Sequence, residues 1–284
     1  MGSVHFLSPQ PSKIDKPLFV FLPGMDGTGT LFRSQIERLA PWFDIRCLSL
    51  PPTDKTEWQP LTRQVTQLIR QEVAERTSTE RAFTKRAQKE KELPTDNPQP
   101  AQSAKRSVYL CGESFGGCLA MQVLTFAPEL FDRVILINPA SSFRRLPWMQ
   151  LGPFLTRRLP NLAYRYSSLG MIPFLIEPSR VAKPNRKALE AAMDKVPAAT
   201  AAWRMELLSR FNVERLPLER MTHPVLLIVG GNDRLLPSNR EGKSLVQRFP
   251  NAKLIRLPKS GHACLLETET NLQQILNQHQ FLPD

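Results

Sequence analysis

"VYLCGESFGGCLAMQVLTF" (Val108–Phe126) is the stretch on which the reading of the fold turns. Within it, Gly112-Glu113-Ser114-Phe115-Gly116 matches G-x-S-x-G, a pattern short enough to arise by chance in any glycine loop. The flanks separate the two cases. "SVYLC" before it reads as a buried strand, and "GCLAMQVLTFA" after it as a helix of small and apolar residues. A nucleophile elbow needs that order, because a strand turning sharply into a helix lifts the serine Oγ above the sheet edge. So tight a turn leaves no room for side chains two residues either side of the serine, which accounts for Gly112 and Gly116. Gly117 and Ala120 keep the first helical turn thin. Ser114 is therefore the candidate nucleophile.

Outward from the elbow, short apolar runs alternate with helical spacing. "PLFVFL" (Pro17–Leu22), "FDIRCLSL" (Phe43–Leu50), "RVILINPA" (Arg133–Ala140), "HPVLLIVGGND" (His223–Asp233) and "AKLIRLP" (Ala252–Pro258) read as strands. Leu31, Phe32, Ile36 and Leu39 fall on one helical face, as do Leu61, Val65, Leu68 and Ile69, with further helices near 239–248 and at the C-terminus. Strands alternating with helices predict an α/β fold, a mostly parallel sheet with helices on both faces. The strands are continuous apolar runs, as burial on both faces requires. Residues 1–140 and 221–284 form the expected core, and 141–220 a helical cap or lid inserted between two strands. "RTSTERAFTKRAQKEKELPTDNPQPAQSAKR" (76–106) is charged, dotted with proline and nearly devoid of apolar residues after Phe83. It is expected to be a disordered or partly helical basic surface insertion.

Composition narrows the classes. The chain has 284 residues, of which 41% are hydrophobic, ample for a buried core. Four cysteines without C-x-x-C or metal-type spacing predict reduced thiols and no metal. "VHFL" near the N-terminus is too short for a signal h-region, and no window approaches 18 uninterrupted apolar residues, so a cytoplasmic protein is expected. The formal charge is +12. Segment 141–220 carries fourteen Lys/Arg against six Asp/Glu, segment 76–106 eight against four, and the remainder balances. No module that reads nucleic acid accompanies this charge, so nucleic acid is not an expected partner. Contact with anionic lipid headgroups is a more economical use of it, and plain solubility the bland one.

Serine needs a base, and the base a third group to orient it. Of the four histidines, His5 lies in the N-terminal tail, His223 precedes a proline at a strand start, and His279 sits in the last turn of the C-terminal helix. His262, in "PKSGHACLLE", follows the last strand in a Ser-Gly loop that can present its ring at the carboxyl edge. The acid should follow the strand between nucleophile and base. "LLIVGGNDRLLP" supplies Asp233 there, whereas Asn138 after "VILIN" cannot act as a carboxylate. The oxyanion needs backbone donors: the Phe115 N–H directly after the nucleophile, and the Met25 N–H from the loop "PGMDGTG", with Asp26 as the adjacent fallback. No cofactor is expected.

With these residues in place, the sequence resembles the α/β-hydrolase superfamily over essentially its whole length. "FLPGMDGTG", "CGESFGGCLA", "ILINPASSF", "GGNDRLLPS" and "SGHACLLE" look like the hydrolase half of the phytyl ester synthase/diacylglycerol acyltransferase proteins of plastids and cyanobacteria. Those proteins also carry an acyltransferase-like domain with an H-x-x-x-x-D signature. That spacing occurs here only as His279–Asp284, in the last six residues, and His262 has Glu267 in that place, so that domain is not expected in this chain. The resemblance implies a serine esterase or lipase with acyl-transfer capacity, and a thylakoid surface for any membrane contact.

The expected substrate is a small apolar acyl ester, of a lipid or a prenyl alcohol. Trp148, Phe154, Leu155, Tyr164, Met171, Ile172 and Phe174 are interleaved with arginines in the cap, and Trp203, Leu207 and Phe211 repeat every four residues. They are either the cap's own core or the wall of an acyl pocket. Thioesterase and C–C bond hydrolase remain enzymatic alternatives, and a non-catalytic hydrolase-fold binding protein an alternative of another class.

Overall fold

Leu18–Leu22 and Val225–Gly230 are buried at every residue, which only a sheet covered on both faces allows. In the computed structural model, which describes residues 3–90 and 107–283, they belong to one seven-stranded sheet. Its strands are β1 (His5–Leu7), β2 (Leu18–Leu22), β3 (Asp44–Ser49), β4 (Val108–Glu113), β5 (Arg133–Ile137), β6 (Val225–Gly230) and β7 (Ala252–Leu257). They lie in the order β1-β3-β2-β4-β5-β6-β7, parallel throughout except for the antiparallel pair β1–β3. This is the mostly parallel sheet, covered on both faces, that the alternation of runs predicts.

The helices are α1 (Arg33–Leu39), α2 (Trp58–Glu90), α3 (Phe115–Phe126), α4 (Pro147–Gln150), α5 (Gly152–Arg158), α6 (Asn161–Gly170), α7 (Ile172–Leu175), α8 (Lys183–Asp194), α9 (Ala198–Arg210), α10 (Ser238–Arg248) and α11 (Leu272–Gln278). Successive strand residues point to opposite faces, and the two faces have separate cores. Phe19, Phe21, Tyr109, Ile135 and Ile228 pack with α1 and α11. Val20, Leu110, Leu136 and Leu227 pack with α2, α3 and α10, and with Leu207 and Leu208 of α9. Helices α4–α9 all fall between β5 and β6 in the chain. They reach loops at the ends of the strands, where the Leu175 carbonyl of α7 accepts from Ala263 N–H and Arg204 of α9 donates to the Met25 and Pro51 carbonyls.

One expectation needs correction and another is narrowed. "VHFL" is an edge strand rather than a tail: Phe6 and Leu7 pack on the core while the backbone pairs His5–Leu7 with Cys47–Ser49. Of the two readings given for residues 76–106, disordered or partly helical, residues 76–90 take the helical one, as the continuation of α2. Glu, Lys, Arg, Gln and Ala are good helix formers without any apolar stripe, and Arg76 fastens the helix by turning inward. It is buried, and its guanidinium donates to Asp44 Oδ2 and to the Lys16 carbonyl. Residues 91–106 of the expected insertion lie outside the described residues.

Asp44 is the hub of this interior polar cluster. Its carboxylate also accepts from Arg46 at 2.7 Å and from Ser12 at 2.9 Å, and Arg46 reaches Glu72 of α2 at 2.8 Å. Burial pushes the Asp44 carboxyl up, but Arg46, Ser12 and Arg76 together hold it below the usual range. The four cysteines are buried free thiols. Burial pushes Cys47 up to about 12 and the other three well above the ordinary thiol value.

Removing Asp44 takes one carboxylate from two buried guanidinium groups and leaves Arg46 with Glu72. Asp44→Ala is expected to lower stability by about 3–5 kcal/mol, read from the urea midpoint. A loss under about 1 kcal/mol would mean that the cluster does not tether α2.

Candidate active site

Strand β4 ends at Glu113 and α3 begins at Phe115, leaving Ser114 alone in the turn with φ 54° and ψ −114°. A residue with a side chain avoids that conformation unless its surroundings impose it. Here they do. A Cβ on Gly112 would lie 2.4 Å from the Gly116 carbonyl, and one on Gly116 only 2.0 Å from the Leu22 carbonyl. The Ser114 N–H donates to the Ile137 carbonyl at 3.0 Å, and its own carbonyl accepts from Ala140 N–H at 3.0 Å. The elbow is thus pinned to β5 on one side and pressed onto β2 on the other.

The structure brings Ser114, His262 and Asp233 together. Ser114 Oγ lies 2.8 Å from His262 Nε2, and His262 Nδ1 lies 2.7 Å from Asp233 Oδ2. An ionised carboxylate only accepts, so Nδ1 carries the proton, and Nε2 is left to accept from the serine hydroxyl. Asp233 sits in the loop after β6, where Oδ1 accepts from the Leu235 and Leu236 amides at 2.9 Å each and Oδ2 also from the Ser238 hydroxyl. The His262 loop is held by residues that sequence reasoning passed over. Glu267 accepts from Gly261 N–H at 2.8 Å, and Asn138 Nδ2 donates to the His262 carbonyl at 2.6 Å. Asn138, unsuited to the acid's role, instead spans β5, β6 and this loop, since its Oδ1 also accepts from Gly230 N–H at 2.8 Å. Its positive φ of 40° suits Asn better than most residues, but nothing in the sequence announces that dihedral.

Charge is distributed asymmetrically around the imidazole. Burial alone would lower the His262 value, but the charge and hydrogen bond of Asp233, with Glu113 beyond, raise it above 6.5. Burial pushes Asp233 up, and His262, Ser238 and the Leu236 amide more than reverse this. Glu113 is pushed up to about 7 by burial, against the opposing pull of His262 and with Asp26 adding to the rise. Its buried Oε1 has no hydrogen-bond partner among the described residues.

The two expected oxyanion donors border the serine. Phe115 opens α3, so its N–H has no carbonyl within the helix to bond. A Cβ on Gly24 would come 3.8 Å from Ser114 Cβ, which sets the Gly24–Met25 peptide beside the nucleophile. The Asp26 amide faces its own carboxylate, which favours Met25 over the fallback. The other histidines lie elsewhere: His5 is on β1, His223 bonds the Pro128 carbonyl at 3.0 Å, and His279 caps α11. Among the described residues, no three His, Cys, Asp or Glu side chains gather as a metal site.

A half-buried elbow serine, a neutral imidazole that can take its proton, and two backbone amides beside it are what acyl transfer requires. Known proteins are similar in the same sense. Residues 91–269 match the family described as serine aminopeptidase, S33. The chain is 27% identical to phytyl ester synthase 1, chloroplastic, of Arabidopsis thaliana, over 92% of this chain and 36% of that protein. It thus spans about a third of the length of that relative. Over 55% of the chain, and 65% of the relative, it is 30% identical to pimeloyl-[acyl-carrier protein] methyl ester esterase of Nitrosomonas europaea. A solved hydrolase from Pseudomonas aeruginosa superposes with a TM-score of 0.72 at 17% identity, covering 97% of this chain and 98% of that one. At that identity the superposition shows the fold alone.

Only a neutral imidazole can accept the serine proton, so kcat/KM for an activated ester is expected to climb with pH through an apparent value above 6.5. Glu113→Gln withdraws one of the charges that raise it, and the acid limb should move to lower pH. An unmoved limb would show that Glu113 does not act on His262. The same shift makes His262 a source of folding stability that is full below pH 6.5 and fades as pH rises through its folded value.

Proposed function

The chain belongs to the family of α/β hydrolases described as serine aminopeptidase, S33, and from that premise we propose that it is a serine esterase of the lipase type. The reading rests on one observation above all, the unbroken hydrogen-bond line Ser114–His262–Asp233 at the elbow. Ser114 Oγ attacks the ester carbonyl carbon while His262 Nε2 takes the hydroxyl proton. Asp233 holds the resulting imidazolium, and the Met25 and Phe115 amides bind the oxyanion. Collapse breaks the carbon–alcohol bond, His262 returns the proton to the leaving alcohol, and an acyl-serine remains. Water then repeats the sequence, releasing the acid and restoring the serine. A second alcohol in place of water would give acyl transfer by the same steps.

An apolar acyl or prenyl ester suits the surroundings. Two relatives carry ester chemistry in their names, a phytyl ester synthase and a methyl ester esterase. The helices above the site split the apolar residues between two roles. Leu207 and Phe211 belong to the core, whereas Trp148, Leu151, Phe154, Leu155, Tyr166 and Phe174 are exposed. Arg144, Arg157 and Arg158 are exposed among them, Arg158 lying 3.6 Å over the Phe154 ring. Apolar side chains interleaved with arginine fit the interface of an anionic bilayer. We therefore read α4–α7 as a lid that rests on such a surface, the protein being cytoplasmic and peripheral. No helix among the described residues is long and apolar enough to cross a membrane.

Ser114→Ala should lower turnover of p-nitrophenyl esters by at least about 10³-fold and abolish labelling by a fluorophosphonate. Activity that survives the change would sink the assignment, and wild-type protein that neither labels nor turns over would be a binding protein. For the lid, sedimentation with vesicles containing phosphatidylglycerol should weaken as salt rises. Equal binding to neutral vesicles would rule out the electrostatic half of that contact.

A further inference from the structure

Arg204 is the largest fully buried side chain among the described residues, 1% exposed, and it takes no part in the hydrogen-bond line at the serine. It enters from α9, among the inserted helices, and reaches backbone on the far side of the site. Nη1 donates to the Met25 carbonyl at 2.7 Å and Nη2 to the Pro51 carbonyl at 3.1 Å. The guanidinium lies flat against Gly27, where a Cβ would come within 2.7 Å of Nη1 and 3.0 Å of Nη2. Gly27 has φ +67°, so both its backbone and its missing side chain are needed for that approach. Burial lowers the Arg204 value, and Asp26, Asp54 and Tyr164 oppose this from nearby. A buried cation that spends its donors on two carbonyls is costly unless the geometry it imposes matters.

That geometry concerns Met25. The Met25 N–H shares a planar peptide with the Gly24 carbonyl, and the Gly24 carbonyl is held by Gly27 N–H at 3.0 Å. The Met25 carbonyl lies in the next peptide plane, and Arg204 holds that one. With both planes beside its Cα fixed, Met25 has no soft dihedral left, and its amide keeps one direction. The Asp26 side chain completes the clasp by accepting from Thr28 N–H at 2.9 Å. We propose that Arg204 is a positioning residue for the reaction, holding the Met25 amide from α9 so that it meets the oxyanion formed at Ser114. The inference rests on the serine esterase reading and goes beyond it, since it makes the oxyanion donor depend on a helix outside the sheet core.

The test compares wild type, Arg204→Met and Arg204→Lys on p-nitrophenyl esters, and measures inhibition by an alkyl trifluoromethyl ketone, whose serine adduct carries an oxyanion. Arg204→Met should lose about 10- to 100-fold in kcat, with KM within about threefold, the range of a change that spares ground-state binding. Ketone affinity should fall by the factor lost in kcat/KM, while the acid limb of the pH profile stays where it was. Arg204→Lys keeps one donor and should recover part of each loss. Unchanged kcat in a folded variant, a change in KM alone, or a kcat loss that leaves ketone affinity intact would overturn the proposal. So would failure of both variants to fold, which would make Arg204 part of the scaffold. Wild type without Ser114-dependent turnover is a separate result, which removes the esterase reading and this assignment with it.

Discussion

Helix α3 meets strand β2 backbone to backbone. The Gly116 Cα lies so close to the Leu22 carbonyl that no carbon atom fits between them, and the rest of the site follows from that contact. Because α3 is pressed against the sheet, the chain must reverse within one residue, and that residue takes the strained backbone of Ser114. The strain is held by bonds to Ile137 and Ala140 on the neighbouring strand's end. The same closeness sets the first turn of α3, with its leading amide and positive dipole end, directly under the nucleophile.

Around this fixed point the protein uses buried polar contacts to attach the inserted region to the core. Arg180 meets Glu267 at 2.9 Å, and Glu267 in turn holds Gly261 beside the catalytic base candidate. Glu241 of α10 accepts from Ser141 and Arg145 at the start of the inserted region. Arg204 joins α9 to the loop after β2. Each link crosses from the inserted helices to the core and terminates on a loop that carries a proposed catalytic group or on the helix that supports one. The segment above the site is therefore fastened at several points by directional bonds, where a purely apolar contact could slide.

Much of the architecture was legible because it is written in local pattern. Continuous apolar runs, helical spacing and glycines at the elbow each reflect a contact within a few residues, and the strands from β2 to β7 lie where those runs are. The edge strand His5–Leu7 was not legible, and the helix over residues 76–90 only as one of two readings, for a common reason. Both are held by distant partners, β3 in the first case and Asp44 in the second, and neither carries an apolar period of its own. At the site, Ser114, His262 and Asp233 stood out by residue type and by position after a strand. Asn138, Glu267 and Arg204 did not, because a buried Asn, Glu or Arg looks on paper like any surface residue. Only their partners, up to 179 positions away in the chain for Arg204, reveal what they hold.

The burial of the four thiols has a consequence for the chemistry the chain presents to its surroundings. Cys111 and Cys118 flank the elbow in sequence, yet they and the other two are enclosed and held in the protonated form. A protonated thiol is a weak nucleophile and a poor target for peroxide. The four thiols are therefore shielded from oxidants that would inactivate a cysteine hydrolase. Thiol-seeking electrophiles find no exposed cysteine, so protection against them is built into the packing.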